Sequence, residues 1–123
     1  MKKLLLYSTN VLKTEQIKKL CISLKINVHI LENKDLTENV GTLLGISVPK
    51  SDKTLPPLYS QPEIMIISGL SKPELEAFLE IYKKAGIAPI DLKAVATPVN
   101  IMQTVFELTS DLKKEYAALS KNA

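Results

Sequence analysis

Small polar side chains of the kind that hold amides or anions gather at two places in this chain, Ser8-Thr9-Asn10 and Ser68-Gly69. Both stretches follow an apolar run and precede a helical pattern. Their hydroxyl and amide groups would therefore lie beside the free backbone amides of two helix N-termini, a setting that suits a polar or anionic small molecule. A third group is Lys93 with the turn Thr97-Pro98-Val99-Asn100. A lysine inside an otherwise apolar strand must bring its ammonium out to water or to a counter-charge. The candidate ligand-binding residues are Ser8, Asn10, Ser68, Gly69, Lys93, Thr97 and Asn100. Each also has a plain structural use: the small polar residues make turns and helix caps, Thr97 caps a helix with Asn100 bonding back to it, and Lys93 snorkels from an edge strand.

Other chemistry has little to stand on. His29 has no serine, cysteine or carboxylate at a recognised spacing and reads as an ordinary strand histidine. Cys21 falls on an apolar helical stripe and reads as a packing thiol. Asp91 and Glu63 are single acids at different strands rather than a glycosidase pair, and no Cys/His cluster has metal-ligand spacing. With four glycines and neither GxGxxG nor GxxxxGK[ST], a nucleotide-phosphate cradle is not indicated. No catalytic residue, metal site or cofactor is expected.

The elements that would position these groups follow from periodicity. Lys2–Tyr7 is a short apolar run and reads as a strand; Val11–Lys25, with Ile17, Leu20, Cys21 and Leu24 on one stripe, reads as a helix. Ile26–Leu31 alternates as a second strand. Asp35 looks like the N-cap of a short helix within Leu36–Leu44, which ends at Gly45. Ser47–Gln61, with Pro49, Pro56 and Pro57, has no periodic pattern and is expected to be a connector that is either mobile or carries a partner contact.

After the connector the order recurs. Glu63–Ser68 is a strand, and Ser71-x-x-Glu74 is a capping box with Pro73 in the tolerant first turn. The helix that follows carries Leu75, Phe78, Leu79 and Tyr82 on one stripe, and Lys83-Lys84 suit its C-terminal end. Ile87–Ala96 reads as a fourth strand. Thr97-Pro98 then opens a last helix, with Met102, Val105 and Phe106 on one face and Leu112, Tyr116 and Leu119 further on.

The expected fold is thus α/β, with two β-α-β-α halves, 1–46 and 62–123, in one domain of 123 residues joined by the connector 47–61. The halves align Tyr7-Ser8 with Ile67-Ser68, Ile17 with Leu75, and Val40 with Met102, which suggests an internal repeat. Strand-helix-strand units return the chain to the same sheet edge, so a four-stranded, mostly parallel sheet of order 2-1-3-4 is expected, with the two crossover helices on opposite faces. The polar rim would then sit between the carboxyl ends of the first and third strands.

Composition narrows the setting. A domain of this length buries roughly two-thirds of its unfolded surface and needs no disulfide; the lone cysteine fits a reducing compartment. The opening Met1-Lys2-Lys3-Leu4-Leu5-Leu6 breaks at Ser8, far short of a signal peptide, and no apolar run reaches the ~18 residues of a membrane span, so a cytoplasmic location is expected. The formal net charge is +3, but all sixteen cations are lysines, without the arginine forks that read bases, which argues against nucleic acid as a partner.

From Ile64 to Asn100 the sequence resembles a small bacterial family, domain of unknown function 3783. The residues that carry the resemblance are Ser68-Gly69 at a strand end, Gly86-Ile87 after the helix, and Lys93-Ala94-Val95-Ala96-Thr97-Pro98-Val99-Asn100. The N-terminal strand and Leu43-Leu44-Gly45-Ile46 also look like full-length members. Where relatives commonly place an aromatic after the turn, this chain has Met102 and Gln103. The resemblance implies no activity.

Three functions fit these readings. The first is a non-enzymatic binding or regulatory domain for a small polar or anionic ligand. The second is an interaction module, a homodimer formed through an edge strand or the helix from Thr109 to Lys121. The third is an enzyme, for which no nucleophile, base and electrophile occur together.

Overall fold

The computed structural model describes residues 1–121. Strand β1 (Lys3–Tyr7) is followed by helix α1 (Val11–Ser23), strand β2 (Asn27–Ile30) and a short helix α2 (Val40–Leu43). The second unit runs β3 (Ile64–Ser68), α3 (Lys72–Lys84), β4 (Leu92–Val95) and α4 (Val105–Lys121). The four strands form one sheet in the expected order β2-β1-β3-β4. β2 lies parallel to β1 and β4 parallel to β3, while the central pair, β1 and β3, is antiparallel.

That central pairing moves the helices. In a fully parallel sheet, two right-handed crossovers that wind outward in opposite directions place their helices on opposite faces. Reversing one β-α-β unit returns its helix to the first face. Accordingly α1 and α3 share one layer: Ile17, Leu20 and Cys21 of α1 and Phe78 and Tyr82 of α3 pack with Leu4, Leu6, Met65 and Ile67. The other layer places Val40, Val105 and Leu108 on Leu5, Ile64, Ile66 and Leu92. The expected split of α1 and α3 between faces is therefore corrected. Both inner strands are buried on both faces, which explains why their sequences are continuously apolar rather than alternating.

Several boundaries also differ. The fourth strand starts at Leu92 rather than Ile87, because Ile87 and Ile90 turn into the core of the α1/α3 layer from an irregular segment. Asp35 does not cap α2; it closes a reciprocal box with Glu32 around a 3-10 turn. Thr97-Pro98 does not open α4, whose first turn is instead closed by Thr104 and Glu107, each side chain accepting from the other's amide. The two units meet again beyond the sheet, where Val40 donates to Gln103 and Val105 donates to Glu38, an isolated bridge centred on Asn39 and Thr104.

The connector has no regular structure, but it is held. Leu55 and Tyr59 pack on the α2/α4 layer, Tyr59 meets Phe106 edge to face at 4.9 Å, and Gln61 donates to Thr109 Oγ1 at 2.9 Å. These anchors are single aromatic and amide contacts to distant residues, which leave no periodic trace in the sequence.

Candidate functional site

The antiparallel β1–β3 register decides the fate of the expected rim. Lys3 sits opposite Ser68 and Tyr7 opposite Ile64. The carboxyl ends of the two strands therefore lie at opposite ends of the sheet, about 14 Å apart along strands that rise 3.4 Å per residue. Ser8 and Asn10 are at one end; Ser68, Gly69, Thr97 and Asn100 are at the other, since β4 runs with β3. No single rim gathers all seven candidates.

At the Ser68 end Thr97 and Asn100 occupy one another. The Thr97 amide donates to Asn100 Oδ1 at 2.8 Å, the Asn100 amide to Thr97 Oγ1 at 3.0 Å, and Asn100 Nδ2 to the Val95 carbonyl at 2.9 Å. Gly69 has a φ of +83° and backs onto the start of the chain, so that a Cβ there would lie 2.2 Å from the Met1 carbonyl oxygen. Thr97, Asn100 and Gly69 thus shape the backbone at this end.

At the Ser8 end a part-buried charge cluster appears. Asn10 caps α1, its Oδ1 accepting from the Lys13 amide at 3.0 Å. Ser8 Oγ accepts from the Asn10 amide at 3.1 Å and donates to Glu63 Oε2 at 2.5 Å. The other carboxylate oxygen receives Lys13 Nζ at 2.7 Å, and the same ammonium donates to the Pro89 carbonyl at 3.1 Å. Burial works to raise the Glu63 pKa, but the hydrogen bonds from Lys13 and Ser8 and the Lys13 charge outweigh it and hold the carboxyl below the ordinary glutamate value. The sequence reading missed Lys13. Its one signal was a lysine in the first turn of a helix that has no acid there, where the positive end of the dipole opposes a cation.

The Lys13 bond to Pro89 matters because Pro89 is one wall of a groove between α3 and β4. Met65, Tyr82 and Ile87 form its floor, Leu79 its other wall, and Lys83 and Lys93 its rim, enclosing about 440 Å³. Tyr82 Oη donates to the Ala88 carbonyl at 2.6 Å, so the 86–91 segment is tied both from above and below. The phenol's pKa is pushed up to about 12, by burial first and then by the Glu63 charge, and it stays a neutral donor. Neither Lys83 nor Lys93 has an ion-pair partner among the described residues. Of the seven expected residues, Lys93 lines this groove.

On the opposite face β4 is flanked by α4. Leu112, Tyr116 and Leu119 recur at helical spacing beside Asp91, Leu92 and Lys93, with Tyr116 47% and Leu119 71% exposed. Among the described residues no strand pairs with the outer edge of β4. His29 is on the other edge strand, with Nε2 3.6 Å from the Asp35 carboxylate, and Cys21 is fully buried. Among the described residues no three His, Cys, Asp or Glu side chains converge as metal ligands, and no helix is long and apolar enough to cross a membrane.

Residues 63–119 match the family described as "Domain of unknown function (DUF3783)", so the resemblance is carried by the second unit, from the start of β3 to α4. No curated protein and no solved structure matches the chain.

Proposed function

We propose that this protein is a non-enzymatic interaction module that pairs with a second copy of itself along β4 and α4. The observation that carries the reading is the coincidence of an unpaired strand edge with an apolar helical stripe directly beside it. An open edge invites strand addition, and Leu112, Tyr116 and Leu119 provide the apolar area that backbone pairing alone lacks. The occupant is a second copy, because a twofold axis sets the same open edge and the same apolar stripe against themselves. The sheet already joins β1 to β3 antiparallel, and pairing two β4 edges antiparallel would continue the same pattern.

The test is native mass spectrometry with sedimentation velocity over a wide concentration range. A dimer is expected, and the double variant Tyr116→Lys, Leu119→Lys should shift it to monomer with unchanged circular dichroism. A wild-type protein that stays monomeric at the highest attainable concentration sinks the reading.

We also infer that the two units are copies of one β-α-β-α unit. Helix caps Asn10 and Ser71, and the positive-φ residues Lys25 and Gly86, stand at one common offset along the chain. The boxes Glu32/Asp35 and Thr97/Asn100, and the bridge residues Asn39 and Thr104, stand at a second, and the segment Ala88 to Asp91 accounts for the difference. These landmarks pair Ile17 with Phe78 and Val40 with Val105, replacing the pairings with Leu75 and Met102 that apolar pattern suggested. Apolar stripes match equally well when shifted by three or four residues, whereas caps and turns do not. A circularly permuted chain, opened in the connector with the present termini joined by a flexible linker, should keep the native fold; failure of several linker lengths would count against the copies being equivalent.

A further inference from the structure

We infer that the groove between α3 and β4 is a binding site for a small amphiphilic carboxylate, an apolar body with a single anionic head. This site is on the α3 face of the sheet and does not depend on pairing through α4. Its volume, about 440 Å³, is within the range of small-ligand pockets, roughly 300–1,000 Å³. The floor and walls offer Met65, Ile87 and Leu79 to an acyl or aryl body. They offer no free polar group, since the Tyr82 hydroxyl is already committed to Ala88.

Charge decides the head group. Lys83 in the last turn of α3 and Lys93 in the middle of β4 flank the opening from opposite sides, and no acidic residue lines it. Two lysines that line an apolar groove and have no ion-pair partner among the described residues complement a carboxylate and repel a cation. The groove is also built rather than incidental. Its Pro89 wall comes from the segment Ala88 to Asp91, for which the first unit has no counterpart, and that wall is held by hydrogen bonds from Lys13 and Tyr82, both more than nine-tenths buried. Lys13 is in turn fixed by Glu63, which gives the buried ion pair a positioning role.

Decanoate below its micellar concentration is the probe, with decanol and decylamine as neutral and cationic companions, read by amide and methyl chemical-shift mapping of the full chain. Decanoate should shift Met65, Leu79, Ile87 and Lys93 with saturable affinity, and decylamine should not. The double variant Lys83→Ala, Lys93→Ala, which removes both ammonium groups, should weaken decanoate by about tenfold or more while leaving decanol unchanged. Leu79→Glu, at a position 40% exposed and therefore tolerant of change, should abolish binding of both without altering the fold. Shifts dispersed over other surfaces, equal binding of decanoate and decylamine, or full decanoate affinity in the double-lysine variant would each overturn the proposal.

Discussion

Lys13 and Glu63, fifty positions apart, meet at 2.7 Å at the junction of α1, β3 and the Pro89 segment, and a second ion pair stands where the proposed repeat would put its counterpart, with the charges exchanged. There the carboxylate is Glu74, in the first turn of α3, and the cation is Lys2, just before β1. The two pairs are not equal. Lys13 is buried, its side chain 8% exposed, whereas Lys2 and Glu74 are both more than a third exposed. Surface pairs contribute little and buried ones are costly to break, so the first pair should dominate.

Replacing Glu63 by Gln leaves the Lys13 ammonium buried without a counter-charge. The loss expected is about 2 kcal/mol, below the 3–5 typical of fully buried pairs because the Glu63 side chain keeps 31% exposure. Urea unfolding at neutral pH checks this. Glu74→Gln should cost far less, and equal losses would show that burial does not set the difference.

The same pair sets an acid limb. Because the folded Glu63 carboxyl is held below its ordinary value, it binds fewer protons in the folded state than in the unfolded one as the pH approaches and passes below the ordinary glutamate pKa. Its stabilising effect is full above the unfolded pKa, about 4.3, and is lost as the pH falls through the folded value. The stability gap between wild type and Glu63→Gln should therefore shrink on acidification through that window. A gap that stays constant from pH 7 to pH 3 would contradict the assignment.

Gly69→Ala is expected to destabilise by about 2 kcal/mol or more, since it combines a positive φ with a Cβ set against the Met1 carbonyl. Gly86→Ala is the control: its φ is +71° but open space surrounds it, and its cost should stay near 1 kcal/mol. Thermal melts of the two variants separate conformational strain from the clash.

Asn100→Ala removes two side-chain hydrogen bonds from the turn after β4, to the Thr97 amide and the Val95 carbonyl, and should cost about 1–2 kcal/mol. Decanoate affinity should be unchanged, because Asn100 stands clear of the groove. A selective loss of ligand binding with normal stability would return this residue to the binding role its sequence context suggested.

Cys21 is fully buried, and burial pushes its thiol up to about 11 from an ordinary 9.0. At neutral pH the thiolate fraction is then about a hundredfold below that of an ordinary thiol. Its reaction with a thiol reagent should be slow in the native protein and become rapid in denaturant; rapid native labelling would mean that the α1/α3 layer opens readily.

The sequence by itself determined much of this protein. Apolar runs of five or six residues, helical stripes and the Ser71–Glu74 box are local signals governed by backbone and side-chain geometry within a few residues, and they gave the elements, their order and the strand order 2-1-3-4. What only the tertiary structure decided was the direction of β3 against β1. The segment between Leu43 and Ile64 has no helix or strand, and a chain of that length, at about 3.3 Å per residue, reaches either end of a five-residue strand. Direction was therefore set by packing rather than by the connection. It placed α1 and α3 on one face, separated Ser8 from Ser68, and brought Lys13 to Glu63. Charges and caps that meet across fifty positions leave no periodicity to read, because their energy depends on distance in space and not on distance along the chain.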